Sequence, residues 1–377
     1  MTHWDEDKRA RPLVGQYIET LKPYVPGKPI EELRRERGIQ GEILKLASNE
    51  NPLGPSPLAL EAARAALLEG HLYPDGAAFV LRNRLSEYLG VDMARIVSGN
   101  GSNELLELIV RTFATSADHA IVSEHSFIVY RIILKSMNVP FTVVPAAADM
   151  GHDLVAMARA ARSNTRLVFV ANPNNPTGTY NGRAELEAML SILAERPDPP
   201  LVVMDEAYFE FADAEDYPDS SRYQGLYPRI VALRTFSKCY GMASFRVGYA
   251  VATEEVAGYL HRVRAPFNTN RIGQLAAAAA LDDEDFLRRT LELNRVERAR
   301  VSAALSDMGL EVVPTQANFV LCRTPLLASD LYDKLLDRGI IVRPLDGYAL
   351  DHHVRISFGT PPQNNRLIEA LREVLSP

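Results

Sequence analysis

Residues 230–252 read IVALRTFSKCYGMASFRVGYAVA. Apolar runs at both ends enclose a polar turn that carries Lys238, and Arg246 follows eight residues after this lysine. Partial burial among hydroxyls and aromatic rings would lower the pKa of a lysine and make it a usable nucleophile. Taken by itself, however, the segment is better explained by an ordinary surface lysine, whose aliphatic stem lies along apolar side chains while its amine stays in water. The role of Lys238 therefore depends on the segments placed beside it.

Short β-rich runs alternate with helical stretches on both sides of this turn. They lie at Arg95–Ser98, Ala120–Val122, Phe141–Val144, Leu167–Ala171, Leu201–Asp205, Ile230–Leu233 and Val247–Ala252. Such alternation predicts right-handed crossovers and a mostly parallel sheet with helices on both faces. The sequence therefore predicts an α/β protein with a central sheet.

The pattern changes after Ala276, where one long charged helix is predicted through Asp307. Shorter strands are predicted at Glu311–Val313, Asn318–Cys322, Ile340–Arg343 and Val354–Phe358, with helices at Leu326–Arg338 and Gln363–Leu375. This part of the chain is interpreted as a second, smaller α+β unit.

Composition excludes several classes of function. The 377 residues include 41 basic and 48 acidic side chains, a balance that argues against nucleic-acid binding. The longest apolar run, Leu275–Leu281, is far shorter than a membrane span. Two cysteines, Cys239 and Cys322, cannot form a disulfide framework or a cysteine-rich zinc site, and they favour a cytoplasmic location. We expect no metal, because His352 and His353, interpreted as surface residues in a loop, have no third ligand.

Three further segments place polar residues at the carboxyl end of a predicted strand, where open α/β sheets bind ligands. In residues 96–113, IVSGNGSNELLELIVRTF, a glycine turn opens a helix whose backbone N–H groups could hold a phosphate. A plain strand-to-helix turn explains this segment equally well. In residues 167–178, LVFVANPNNPTG, two prolines and three asparagines follow an apolar strand and predict a stiff loop.

The last of these segments is LVVMDEAYFEF at residues 201–211. Four apolar residues precede Asp205, and a buried aspartate is unfavourable unless a cation partners it. An N-cap for the next segment is a serious alternative for Asp205 alone. Together, however, the segments supply an amine for an aldehyde, a carboxylate for a pyridine nitrogen, and a glycine turn, hydroxyls and an arginine for a phosphate. Pyridoxal phosphate needs that set of partners.

These motifs resemble a known family. NPNNPTG (172–178), DEAY (205–208) and TFSK (235–238) resemble the class I and II aminotransferases of fold type I. The flanking stretches KPYVPGKPIEEL (22–33), ILKLASNENPLGPSP (43–57), HLYPDG (71–76), GIIVRPL (339–345) and VRISFGT (354–360) are similar to the histidinol-phosphate aminotransferases. The polar, proline-rich residues 1–40 are interpreted as an N-terminal arm, followed by a large pyridoxal-phosphate-binding domain at 72–284 and a small domain from 41–71 and 285–377.

The resemblance also implies roles for single residues toward the cofactor. Lys238 would form a Schiff base with it and later move the α-proton, and Asp205 would pair with the pyridinium nitrogen. Asn175 and Tyr208 would bond the ring 3-oxygen. The phosphate would be held by Gly101, Ser102, Asn103, Thr235, Ser237 and Arg246. Phe127 would stack on the ring where many members of the family have tyrosine.

Further roles concern the partner subunit and the substrate. Tyr73 would reach the cofactor phosphate of the other subunit, which makes the active unit a homodimer. Tyr24, Asn49, Arg343 and Arg355 would bind substrate, with Arg355 on the carboxylate of glutamate or 2-oxoglutarate.

The reaction implied is ping-pong transfer of an amino group from histidinol phosphate to 2-oxoglutarate, giving imidazole acetol phosphate and glutamate in histidine biosynthesis. An aromatic amino acid aminotransferase and a phosphothreonine decarboxylase of the same fold remain alternatives. A transcription regulator built on such a domain is disfavoured, because the roughly 40 residues of the N-terminal arm are too few and too proline-rich for a DNA-binding module.

Overall fold

The computed structural model describes residues 13–23 and 27–376. In chain order, its strands are β1 (Leu44–Lys45), β2 (Ile96–Gly99), β3 (His119–Ser123), β4 (Phe141–Val144), β5 (Thr165–Ala171), β6 (Leu201–Asp205), β7 (Ile230–Thr235), β8 (Gly248–Val251), β9 (Glu311–Val313), β10 (Phe319–Arg323), β11 (Ile340–Ile341), β12 (Arg343–Leu345) and β13 (Leu350–Ser357).

Seven strands form the central sheet in the order β2–β8–β7–β6–β5–β3–β4. The pairs from β4 to β7 are parallel, whereas β8 runs antiparallel to both of its neighbours. The predicted mostly parallel central sheet is confirmed, and all seven strands predicted for it lie in it. Its middle strands are buried on both faces, which explains their continuous apolar sequences.

The helices are α1 (Gln16–Glu19), α2 (Ile30–Arg37), α3 (Pro57–Leu67), α4 (Phe79–Leu89), α5 (Ser102–Phe113), α6 (Val129–Ser136), α7 (Leu154–Arg159), α8 (Arg183–Ala194), α9 (Glu254–Val263), α10 (Arg271–Ala280), α11 (Glu284–Asp307), α12 (Ala328–Leu336) and α13 (Pro361–Leu375). Apolar side chains of α5, α6 and α9 pack on one face of the central sheet, and those of α7 and α8 pack on the other. None of the helices in the described part of the chain has the length and apolar character needed to span a membrane.

The prediction of one helix from Ala276 through Asp307 is wrong. The helix α10 ends at Ala280, and α11 begins at Glu284. Asp283 separates them, because one oxygen of its carboxylate accepts the backbone N–H of Phe286 and caps α11, while the other accepts the hydroxyl of Ser56 at 2.6 Å. The chain therefore turns between the two helices although its helical pattern continues.

A smaller four-stranded antiparallel sheet has the order β12–β13–β10–β9, and it packs against α12, α13 and the second half of α11. The short strand β1 pairs in parallel with β11, which joins an early segment of the chain to the C-terminal part. This arrangement confirms the predicted second α+β unit built from both ends of the chain. The domain bounds at 41–71, 72–284 and 285–377 stay a prediction.

Two predictions in the C-terminal part are wrong in detail. The predicted strand Ile340–Arg343 divides into β11 and β12, which belong to different sheets. His352 and His353 do not lie in a loop, because β13 begins at Leu350. A ring nitrogen of His352 is 2.9 Å from the carbonyl of Leu326, so this histidine is tied to the loop before α12.

Candidate active site

A cavity of about 270 Å³ lies where the carboxyl ends of β5, β6 and β7 meet the small sheet. Most of the predicted site residues line it: Asn49, Ser102, Asn103, Phe127, Asn175, Asp205, Tyr208, Thr235, Ser237, Lys238, Arg246, Arg343 and Arg355. These residues come from eight separate stretches of the chain, and the fold brings them together because parallel strands end at one edge of the sheet.

Lys238 lies three residues beyond the end of β7, with its side chain partly buried. Its amine donates a hydrogen bond to the backbone carbonyl of Ser48 at 3.0 Å. Burial, followed by the positive charge of Arg355, lowers the pKa of Lys238 from 10.5 to about 8. A neutral, nucleophilic amine is therefore accessible near physiological pH.

Asp205 ends β6 and is only 6% exposed. One oxygen of its carboxylate accepts the hydroxyl proton of Tyr130 at 2.7 Å, and the other accepts the backbone N–H of Ala207 at 3.3 Å. Burial raises the pKa of Asp205, while the bond from Tyr130 and the charge of Lys238 oppose that rise. The carboxylate can therefore hold a cationic group inside the cavity.

Tyr130 lines this cavity and was missed by the sequence analysis. One feature of the sequence could have indicated it: Tyr130 follows Phe127 by three residues, about one helical turn, at the start of α6. The rings of Phe127 and Tyr130 meet edge-on with their centroids 5.8 Å apart. Phe127 and Tyr130 thus form an adjacent pair of rings in the cavity lining, of which only Phe127 was predicted; Tyr348, which also lines the cavity, was not predicted either.

The start of α5 and the turn after β7 form an anion-binding cradle. Gly101 has φ 78° at the N-cap of α5, and a Cβ there would lie 2.4 Å from Nη2 of Arg246. Nη1 of Arg246 donates to the Ser237 hydroxyl at 3.3 Å, and the Thr235 hydroxyl donates to the same oxygen at 3.0 Å. Helix N–H groups, hydroxyls and a guanidinium together suit a phosphate. Gly101 itself lies behind this cradle and is not part of the cavity lining.

Tyr208 and Asn49 are joined by a hydrogen bond from the Asn49 amide to the phenol oxygen at 2.9 Å. The amide oxygen of Asn49 accepts the Ser357 hydroxyl at 2.8 Å. Burial raises the pKa of Tyr208 to about 12, so its hydroxyl remains a proton donor at neutral pH. Asn49 therefore lines the cavity but uses both ends of its side chain within the protein.

Two arginines lie side by side on the small-sheet wall, because Arg343 and Arg355 are directly opposite each other in the antiparallel pair β12 and β13. The guanidinium of Arg355 donates to Oδ1 of Asn175 at 2.5 Å and to the carbonyl of Ala47 at 2.6 Å. Adjacent guanidinium groups facing a cavity favour binding of an anionic substrate group.

Two predicted residues lie elsewhere. Tyr73 is 81% exposed, and its ring stacks on that of Phe267 with centroids 5.0 Å apart, outside the cavity of its own chain. Tyr24 lies outside the described residues.

Comparison with known proteins identifies the family. Residues 41–371 match the family Aminotransferase class I and II. The chain belongs to this family. Among relatives of this aminotransferase, histidinol-phosphate aminotransferase 2 of Pseudomonas fluorescens (strain Pf0-1) is 45% identical over 360 residues, which cover 95% of the chain and 96% of the relative. Histidinol-phosphate aminotransferase of Anaeromyxobacter sp. (strain Fw109-5) is 45% identical over 365 residues, covering 97% of the chain and 99% of the relative.

A solved structure agrees with this assignment. Histidinol-phosphate aminotransferase from Sinorhizobium meliloti, determined in complex with pyridoxal-5'-phosphate, matches the aminotransferase with a TM-score of 0.85 and 31% identity. The match covers 97% of this chain and 98% of that one. Fold type I, predicted from the motifs, is therefore confirmed.

Proposed function

We propose that this chain is a pyridoxal-phosphate-dependent histidinol-phosphate aminotransferase. It transfers the amino group of histidinol phosphate to 2-oxoglutarate, giving imidazole acetol phosphate and glutamate, in histidine biosynthesis. The observation that carries the proposal is one cavity that joins the Lys238 amine, the buried Asp205 carboxylate and two adjacent arginines. Relatives that are 45% identical over 95% of the chain and named histidinol-phosphate aminotransferases support the choice of substrate.

The residues present fit the cofactor. The close approach of the chain in the cradle depends on glycine, because a Cβ at Gly101 would lie 2.4 Å from Nη2 of Arg246, and a Cβ at Gly248 would lie 2.6 Å from the backbone nitrogen of Ser102. Ser102, Asn103, Thr235, Ser237 and Arg246 would hold the phosphate, and Phe127 would cover one face of the ring. When bound, pyridoxal phosphate supplies an aldehyde that reacts with amines and a ring that takes up the electrons released at the substrate Cα.

Lys238 acts as the base of the reaction. With its pKa near 8, the amine is neutral in about a tenth of the molecules at pH 7 and can take the proton from the substrate Cα. The same amine can return a proton in the second half of each transfer. Ser48, whose carbonyl accepts from Nζ at 3.0 Å, orients the amine between these steps.

Asp205, Tyr208 and Asn175 set the charges around the ring. The Asp205 carboxylate would hold a proton on the pyridine nitrogen of the bound cofactor, which lets the ring withdraw electrons. Tyr208 and Asn175 would donate hydrogen bonds to the ring 3-oxygen. Asn49 holds the Tyr208 hydroxyl in place at 2.9 Å, and we assign it this positioning role in addition to a place in the substrate pocket.

Arg343 and Arg355 select the two substrates by charge. A guanidinium binds a carboxylate with two parallel hydrogen bonds, and it binds a phosphate equally well. Arg355 therefore takes the carboxylate of glutamate or 2-oxoglutarate, and the pair takes the phosphate of histidinol phosphate, which has no α-carboxylate. The family motif that contains Tyr24 supports a substrate-binding role for this residue as well.

The active unit is a cytoplasmic homodimer. Exposed apolar side chains support the dimer: Leu68, Leu72, Tyr73 and Phe79 are 84%, 51%, 81% and 54% exposed, and Phe267 lies against Tyr73. Asn268, the neighbour of Phe267, donates to the carbonyl of Ser98 in β2, the strand that leads to the phosphate cradle. The two buried free cysteines, Cys239 and Cys322, fit a reducing compartment.

Mixing two inactive variants tests the shared site. Lys238→Ala and Tyr73→Ala protomers would each be inactive alone, but a mixed dimer contains one intact site. In an equal mixture, half of the dimers are mixed and each of these has one of its two sites intact. Random reassembly should therefore restore about a quarter of the wild-type activity. No recovery in mixtures that are shown to exchange subunits would exclude a role for Tyr73 across the dimer.

The substrate assignment is tested by measuring amino transfer to 2-oxoglutarate from histidinol phosphate, phenylalanine and aspartate side by side. We expect histidinol phosphate to give the highest kcat/KM. Faster reaction of phenylalanine would indicate an aromatic aminotransferase, and carbon dioxide release from phosphothreonine without an oxo acid would indicate the decarboxylase. Lys238→Ala should lose the visible absorbance of the cofactor-loaded protein; a variant that stays yellow would refute the assignment of Lys238.

A further inference from the structure

Tyr130 makes the shorter of the two hydrogen bonds described for Asp205. The phenol oxygen is 2.7 Å from Oδ2, whereas the backbone nitrogen of Ala207 is 3.3 Å from Oδ1. Both side chains are buried, with 1% exposure for Tyr130 and 6% for Asp205. A hydrogen bond to a buried carboxylate is about twice as strong as one between neutral groups. Tyr130 therefore has the greater influence on the orientation and charge of this carboxylate.

Packing fixes the position of the phenol. Its ring stacks on Phe169 of β5, with centroids 5.1 Å apart and planes 20° from parallel. On another side it meets the edge of Phe127 at an interplanar angle of 88°. Packing on β5 thus fixes the distance between the Tyr130 hydroxyl and β6. The Tyr130 ring also supports Phe127, the residue proposed to stack on the cofactor.

The proton of this hydrogen bond belongs to Tyr130. Burial, followed by the negative charge of Asp205, raises the pKa of Tyr130 well above 10. Burial also raises the pKa of Asp205, and the bond from Tyr130 is the largest of the effects that oppose this rise. The phenol therefore donates, and the carboxylate accepts as an anion.

We infer that Tyr130 is a positioning residue that keeps Asp205 ionised and turns its second oxygen toward the cavity. The inference rests on the proposed function, because the group that this oxygen would meet is the protonated pyridine nitrogen of pyridoxal phosphate. Without the hydrogen bond from the phenol, the Asp205 carboxylate would become more basic and would draw the pyridinium proton away from the ring. The bound cofactor would then withdraw electrons less strongly, which would raise the pH midpoint of its visible absorbance band.

The test compares Tyr130→Phe with a matched control, Tyr227→Phe. Both substitutions remove only a buried hydroxyl; that of Tyr227 donates to the carbonyl of Pro200 at 2.6 Å in a different apolar cluster and does not line the cavity. Two quantities are measured besides activity. One is the dissociation constant of pyridoxal phosphate from fluorescence titration, and the other is the pH midpoint of the visible absorbance band.

For Tyr130→Phe we expect the dissociation constant to rise about tenfold, as for a lost hydrogen bond to a charged group, and the pH midpoint to rise. Tyr227→Phe should change neither quantity. In an Asp205→Asn background, Tyr130→Phe should have no further effect on the midpoint, because the carboxylate through which it acts is absent.

Two other outcomes would overturn the inference. If Tyr130→Phe lowers the thermal stability as Tyr227→Phe does and leaves both cofactor quantities unchanged, Tyr130 is merely structural. If it shifts the midpoint equally with and without the Asp205 carboxylate, it does not act through Asp205. A wild-type protein that binds no pyridoxal phosphate would instead overturn the proposed function, and this inference with it.

Discussion

Replacement of Lys238 by methionine should stabilise the cofactor-free protein while abolishing its activity. Methionine has a similar length and no charge, so the change removes an amine whose protonated form is disfavoured by burial and by the neighbouring Arg355. The cavity then contains one positive charge fewer. Activity should be lost because methionine lacks the amine that we propose to react with the cofactor, and no other lysine of the described residues lines the cavity.

The magnitude follows from the pKa of Lys238. A fall from 10.5 to about 8 corresponds to roughly 3 kcal/mol of unfavourable free energy in the folded state at pH 7. The lost hydrogen bond to Ser48 offsets about 1 kcal/mol of the gain. We therefore expect the free energy of unfolding to increase by about 2 kcal/mol, or a Tm increase of about 2–3 °C for a chain of 377 residues.

The dependence on pH identifies the cause. Because the pKa of Lys238 is lower in the folded protein, the unfolded chain binds one proton more than the folded chain between pH 8 and 10.5. The unfavourable free energy of the buried ammonium is therefore complete below pH 8. The advantage of methionine should therefore be full at pH 7 and fall to nearly zero by pH 10. Lys135→Met, at an exposed position on α6, controls for the loss of one charge.

Thermal unfolding of the cofactor-free proteins, followed by circular dichroism at pH 7 and pH 10, is the assay. A Lys238→Met variant no more stable than the wild type at pH 7 would refute the assignment of a strongly desolvated amine. An equal gain at both pH values, or an equal gain from Lys135→Met, would assign the effect to something other than the buried charge.

Three further substitutions test the site and its support. Gly101→Ala places a methyl group 2.4 Å from the Arg246 guanidinium at φ 78°, so pyridoxal phosphate affinity should fall at least about tenfold in a cofactor titration, with the fold retained. Gly241→Ala puts a Cβ 1.9 Å from the backbone oxygen of Gly54 at φ 68°, and urea unfolding should show a loss of about 3 kcal/mol. Arg355→Lys cannot make the planar pair of bonds, so the KM for 2-oxoglutarate should rise about tenfold or more while the visible absorbance remains. These expectations are contradicted if Gly101→Ala leaves the cofactor affinity unchanged, if Gly241→Ala leaves the urea midpoint unchanged, or if Arg355→Lys leaves the KM unchanged.

The strands and most cavity residues could be predicted from the sequence because buried parallel strands have continuous apolar runs, and polar residues directly after such runs lie at one sheet edge. Asp205 and Lys238 are examples, since Asp205 is the last residue of β6 and Lys238 lies three residues beyond the end of β7. The break at Asp283 could not be predicted in this way. Helical periodicity continues through it, and the decisive contact is with Ser56, 227 positions earlier in the chain.

The local sequence pattern thus determined most helices and strands, their order along the chain, and the kinds of side chain that follow each strand, because these features depend on residues that are neighbours in the sequence. Tertiary structure alone decided which groups contact one another: that Tyr130 donates to Asp205, that Asn49 holds Tyr208, and that Arg343 and Arg355 lie opposite each other. It also decided how far the pKa of Lys238 falls. The physical reason is that hydrogen bonds and desolvation act over a few ångströms in space, whereas the partners involved are 12 to 190 residues apart along the chain.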